Sequence, residues 1–120
     1  MHSLEKALNT AEAKNKLNPH IQLYFGNQSR SQIAKKISEI KTNKKTNGFN
    51  KSDVKACQRA FLSAVLELQK QATQDGGDAV INILSNYRNK EISSDTEYMC
   101  GSGALMSGVA LKGTVVKLAQ

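Results

Sequence analysis

The stretch from Asn50 to Tyr87 most narrows what this chain can fold into, because two glycines join an amphipathic helix to a buried strand. Asn50 is a candidate N-cap, with Asp53 three residues on. Apolar or small residues then recur at Val54, Cys57, Ala60, Phe61, Ala64, Val65, Leu68 and Ala72, while Lys55, Arg59, Glu67, Lys70 and Gln71 fall largely on other faces. This i, i+3, i+4, i+7 spacing predicts one long helix over about 52–74. Gly76-Gly77 supplies the residue without a Cβ that a left-handed helix cap favours, and Ala79-Val80-Ile81-Asn82-Ile83-Leu84 follows as an apolar strand.

At 120 residues and 39% hydrophobic content, the chain suits a single domain with one core. Residues 1–18 read as an N-terminal helix and linker, and residues 20–120 as a compact α+β unit. No stretch approaches the roughly 20 apolar residues of a membrane span. Met1 to Lys16 lacks the apolar block of a signal peptide. Two readings of the start stay open: a cytosolic protein, or an exported domain without its leader.

Ser3 to Leu17 carries a partial apolar stripe and predicts a helix capped by Ser3, broken at Asn18-Pro19. His20 to Phe25 alternates and predicts a first strand. Ile33 to Thr42 fits two templates, a short helix through Ile33, Ile37 and Ile40 or a polar edge strand, and periodicity slightly favours the helix. Thr42 to Asn50 is polar, contains Asn47-Gly48 and predicts an exposed basic loop. Asn86 to Asp95 predicts a hairpin loop, Glu97 to Cys100 an extended segment, and Val115 to Leu118 a last strand. Gly101, Gly103, Gly108 and Gly113 between them predict bulges or close backbone approach.

The net charge of +7 is uneven. Residues 1–50 hold nine Lys/Arg against three acidic groups, and residues 51–120 hold eight against seven. The excess gathers at Arg30, Lys35, Lys36, Lys41, Lys44, Lys45 and Lys51. Such a patch suits an anionic surface, such as lipid headgroups or polysaccharide, or is simply a solvated face. No aromatic residue interleaves with the lysines as a base-stacking platform requires, so nucleic acid is disfavoured.

Catalytic motifs fail on detail. Gly103 and Gly108 have the separation of a Walker A loop, but Val109 and Ala110 stand where its Lys and hydroxyl belong. The dinucleotide fingerprint would need a third glycine at Met106. Asp75, Asp78, Glu91, Asp95 and Glu97 flank turns and strand ends and read as caps. Cys57 and Cys100 lack CxxC spacing, and with only His2 and His20 beside them no metal site is assigned. The two cysteines remain open to three readings: a disulfide, two buried thiols, or a catalytic thiol without a neighbouring base.

The runs Tyr24-Phe25-Gly26, Thr42-Asn43-Lys44-Lys45-Thr46-Asn47, Lys51-Ser52-Asp53, Ala56-Cys57, Phe61-Leu62-Ser63-Ala64 and Gly77-Asp78-Ala79-Val80-Ile81-Asn82-Ile83 resemble a family of small exported bacterial proteins. Its members often carry the label "excinuclease ATPase subunit". The resemblance continues through Ser85-Asn86-Tyr87, Thr96-Glu97-Tyr98, Cys100 and Gly103 to Gly113, although the nucleotide loop the label demands is absent. More distantly, the order of elements is similar to the Rcs outer-membrane stress-sensor lipoprotein and heavy-metal-binding-domain families. These resemblances imply a periplasmic or secreted α+β domain that binds rather than catalyses. They also imply strand over Lys35 to Asn43 and a Cys57–Cys100 bridge. The sensor's second disulfide and its lipid-anchor cysteine have no counterparts here.

The resulting expectation is an α+β fold with a small, mostly antiparallel sheet packed by the central helix, and an N-terminal helix. Its function is expected to be a non-enzymatic exported binding module without cofactor. Its basic face, Lys35, Lys36, Lys41, Lys44, Lys45 and Lys51, would meet an envelope or host protein or an anionic surface. One alternative is an anionic-lipid or phosphate-ligand binder secreted to act outside the cell, and a second, of another class, is a small hydrolase using Cys57 or a turn carboxylate.

Overall fold

The computed structural model describes residues 1–47, 52–103 and 105–119. The long helix, α3 (Asp53–Gln74), is capped by Ser52, whose hydroxyl accepts from the Lys55 N–H at 3.2 Å. Asn50 lies outside the described residues. Ala56, Cys57, Ala60, Phe61, Ala64, Val65, Leu68 and Ala72 are all buried, whereas Val54 in the first turn is half exposed. Helix α3 ends as the glycine pair requires. Gly76 takes φ +81°, the Gly77 N–H donates to Ala72 O, and a Cβ at Gly77 would collide with the Val115 side chain.

Strands β2 (Gln22–Phe25), β3 (Ile33–Asn47), β4 (Ala79–Ser85), β6 (Gly101–Ser102) and β7 (Met106–Leu118) form one sheet. The path runs β2-β4-β7-β3, with β6 also paired to β7. β2 and β4 are parallel, and the other pairs are antiparallel. The sheet is therefore mixed. It is also not small, since β3 and β7 run 15 and 13 residues against a usual length of about five or six. A two-residue strand β1 (His2–Ser3) pairs with β5 (Glu97–Tyr98) beside it.

Four expectations are corrected. The N-terminal helix is two: α1 (Leu4–Leu8), capped by Ser3, and α2 (Ala11–Lys16), started afresh when Thr10 Oγ1 accepts from the Ala13 N–H. A capping hydroxyl in mid-helix offers the backbone a competing partner. Ile33 to Thr42 is strand, as the resemblance implied. Register shifts at Ile33/Lys35 and Lys36/Ser38 reset its alternation, which is why its isoleucines carry helical spacing. Thr42 to Asn47 is strand too, because Leu111 to Met106 of β7 pairs it residue by residue despite its polar sequence. Last, the final strand starts at Met106 rather than Val115 and runs on through Gly108 and Gly113, where the expected close approach is made by Tyr87 and by Val80 with Ile81 O.

One core fills the space between α3 and the sheet, with Val80, Ile83, Val109, Leu111 and Val115 facing the helix. A bulge at Asn82, with φ +52°, turns both Val80 and Ile83 to this side while Ile81 joins Ala79 and Val116 in a second cluster. Gln69 is buried in α3. Its amide donates to Asn18 O and Ile21 O and accepts from the Asn18 N–H, fixing the proline turn to the helix.

Phe61 stacks on Tyr98 at 4.3 Å between centroids. The Tyr98 hydroxyl is buried without a hydrogen-bond partner among the described residues, and burial pushes its pKa up to about 12. An unfolded tyrosine releases its proton near 10, so between pH 10 and 12 the unfolded chain binds fewer protons than the folded one. Stability from this group is complete below pH 10 and is lost as pH rises towards 12. In a spectrophotometric titration the phenolate step of Tyr98 is expected near pH 12. Tyr98→Phe should delete that step; an unchanged curve would contradict the assignment.

Candidate basic binding site

The face of the sheet turned away from α3 gathers charge through strand alternation. Ile40 and Thr42 of β3 are buried on the helix side, so Lys41, Asn43 and Lys45 stand on the opposite face. Across the sheet, Lys45 pairs with Gly108, Asn43 with Ala110 and Lys41 with Lys112. Gly101 of β6 in turn faces Gly108. These two glycines make a seat. A Cβ on Gly101 would collide with the Tyr87 ring, and one on Gly108 would approach it to 3.2 Å.

The seated Tyr87 opens a tight turn closed where the Lys90 N–H donates to Tyr87 O at 3.1 Å and anchored where the Asn86 N–H donates to Ala110 O at 2.8 Å. Arg88 and Asn89 both take the left-handed conformation, with φ +55° and +62°. Two successive left-handed residues make the type I′ turn that suits a tight hairpin, here inside the Ser85–Ile92 bridge. Here it carries the Arg88 guanidinium back over the Tyr87 ring, 5.5 Å from the centroid.

Two hollows meet at Arg88. The larger, of about 420 Å³, lies between Lys45, Tyr87, Arg88 and the Ser102–Gly103 turn, with Met106 on its rim. The smaller, of about 230 Å³, lies between Lys41, Asn43, Asn86, Arg88 and Asn89. Amide and cationic donors thus line two hollows that share Arg88, with Lys45 on the larger and Lys41 on the smaller. Lys112 on the same face is committed to Glu91 at 2.7 Å, a contact that raises its pKa.

The sequence-predicted basic face is divided by the fold. Lys41 and Lys45 share the face turned away from α3 but border different hollows. Lys44 lies on the helix side, 3.6 Å from Glu67, whose carboxyl is held below its usual range first by the Gln71 amide and then by this lysine. Lys35 and Lys36 are exposed at the start of β3, with Lys36 about 30 Å of strand from Lys45. Lys51 lies outside the described residues. Neither Arg88 nor Tyr87 is among the residues expected in the site, and the glycine spacing points only to bulges or close backbone approach at β6 and β7.

Cys57 and Cys100 are joined as a disulfide, with Cα atoms 5.9 Å apart. Several turn carboxylates have structural partners: Asp78 Oδ1 accepts from the Leu118 N–H, Asp95 Oδ1 from the Asn27 N–H, and Asp75 Oδ2 from the Ser38 hydroxyl. Among the described residues, no helix is long and apolar enough to cross a membrane. No protein-family model matches this chain, and no curated protein matches it. Function is therefore read from the site itself.

Proposed function

We propose that this chain is a non-enzymatic binding module of the cell envelope or exterior, and that Lys41, Lys45 and Arg88 form its contact for an anionic partner. The observation that carries this reading is that Arg88, held over Tyr87 by its turn, borders two hollows on one face of the sheet, one with Lys45 and the other with Lys41. The guanidinium and the amides of Asn43, Asn86 and Asn89 suit oxyanions such as phosphate. The disulfide supports an oxidising compartment. It also leaves Cys57 without the free thiol that a thiol hydrolase would need.

Vesicles containing phosphatidylglycerol are the probe. Each basic side chain near an anionic bilayer contributes about 1 kcal/mol, so Lys41→Glu/Lys45→Glu/Arg88→Glu is expected to weaken binding by at least about 100-fold at low salt. Lys35→Glu/Lys36→Glu/Lys117→Glu makes the same change in net charge at the other end of β3. It should retain most of the binding. Equal losses from the two triples would reduce the site to bulk charge and overturn the assignment.

A further inference from the structure

The disulfide has a third neighbour that sequence spacing hides. His2 lies in β1, Cys57 in α3, and Cys100 between β5 and β6. One ring nitrogen of His2 and the two sulfurs all lie within 4.8 Å of one another. The histidine is not placed by chance contact. It pairs in register with Tyr98, and its ring stacks on the Tyr98 ring at 5.6 Å. Tyr98 is packed in turn on Phe61, one helical turn from Cys57. The Ser102 hydroxyl lies 3.3 Å from Cys57 Sγ.

We infer that reduction of the Cys57–Cys100 bond converts this corner into a Cys₂His site for a thiophilic divalent cation, zinc being the natural occupant. Around one zinc, sulfur and nitrogen donors lie about 3.5–3.8 Å apart. The His2 nitrogen is within about 1 Å of that spacing, and the sulfurs reach it by parting once their bond is gone. Two thiolates also cancel the charge of Zn²⁺, so the filled site is neutral where Cys57 is fully buried. A water or the Ser102 hydroxyl completes the tetrahedron.

The chemistry balances with a dithiol as reductant. It passes two electrons and two protons to the Cys57–Cys100 bond and closes to its own disulfide. Zn²⁺ then displaces the two thiol protons to solvent, and the neutral His2 imidazole donates a nitrogen lone pair. Entry is through Cys100, the less buried of the pair. The site shares only Ser102 with the basic face, and its test by reduction and His2 variants reads it separately from vesicle binding.

The test uses the full chain, reduced by a phosphine, desalted without oxygen and titrated with Co²⁺ and then Zn²⁺. The expected result is one Co²⁺ per reduced chain, with the intense visible bands of tetrahedral coordination and a thiolate charge-transfer band, all displaced by Zn²⁺. The oxidised chain should show none of this. Zn²⁺ should raise the melting temperature of the reduced chain, because a cation that prefers the folded site stabilises it. His2→Ala should weaken the affinity at least 10-fold, while His20→Ala leaves it unchanged. Absence of tetrahedral bands, a lowered melting temperature from binding to unfolded thiols, or indifference to His2→Ala would each overturn the proposal.

Discussion

Replacing both cysteines, as Cys57→Ala/Cys100→Ala, is expected to lower the melting temperature by roughly 15 °C. The bond closes a loop across a sequence separation of 43 residues. In the chain-entropy treatment, releasing such a loop costs about 4 kcal/mol. A domain of this size loses about 4 °C per kcal/mol. The cost is concentrated because the bond ties the first turns of α3 to the chain leaving β5. Among the described residues, the stretch between β5 and β7 otherwise holds the sheet through the two-residue strand β6 and the Met99 N–H bond to Ser85 Oγ. Thermal unfolding of the oxidised wild type against the double variant measures the effect. A shift under about 3 °C would mean that packing alone secures that end of the helix.

Phe61→Ala is expected to cost about 3–5 kcal/mol, the usual range for emptying a buried aromatic site. Phe61 is 1% exposed and lies between Tyr98 at 4.3 Å and Phe25 at 5.9 Å, measured between ring centroids. Its truncation removes apolar burial and two ring contacts at once. These rings link β2, α3 and β5, so the hole cannot close by movement of a single element. Phe61→Leu should lose clearly less, since it refills much of the volume. Urea unfolding of the three proteins reads the difference, and a loss below about 1 kcal/mol for the alanine variant would contradict the packing described here.

What the sequence disclosed follows from where its signals are local. Helix α3, its glycine stop and strand β4 were legible because the apolar stripe, the turn residues and the strand formers are contiguous. Strand β3 was not legible from its own residues. Its isoleucines fall at helical spacing only because two register shifts intervene, and its polar second half is held by β7, across separations from Thr42–Leu111 to Asn47–Met106 that no local pattern spans. The site shows the same division. Lys41 and Lys45 were named in advance, but Lys44 was grouped with them because a loop has no faces. Once the segment is strand, parity separates neighbours. Arg88 enters the site through a contact between Tyr87 and two glycines of different strands, and His2 meets the disulfide through the β1–β5 pairing. Neither juxtaposition leaves a periodic trace.

The most direct test of the binding account is a map of amide chemical-shift changes in the oxidised, ¹⁵N-labelled chain as bicelles containing phosphatidylglycerol are added. The account predicts perturbations confined to 41–45, 86–90 and 101–108, with the helix 53–74 unmoved. Perturbations centred on Lys35 and Lys36, or spread evenly over the exposed lysines, would contradict it.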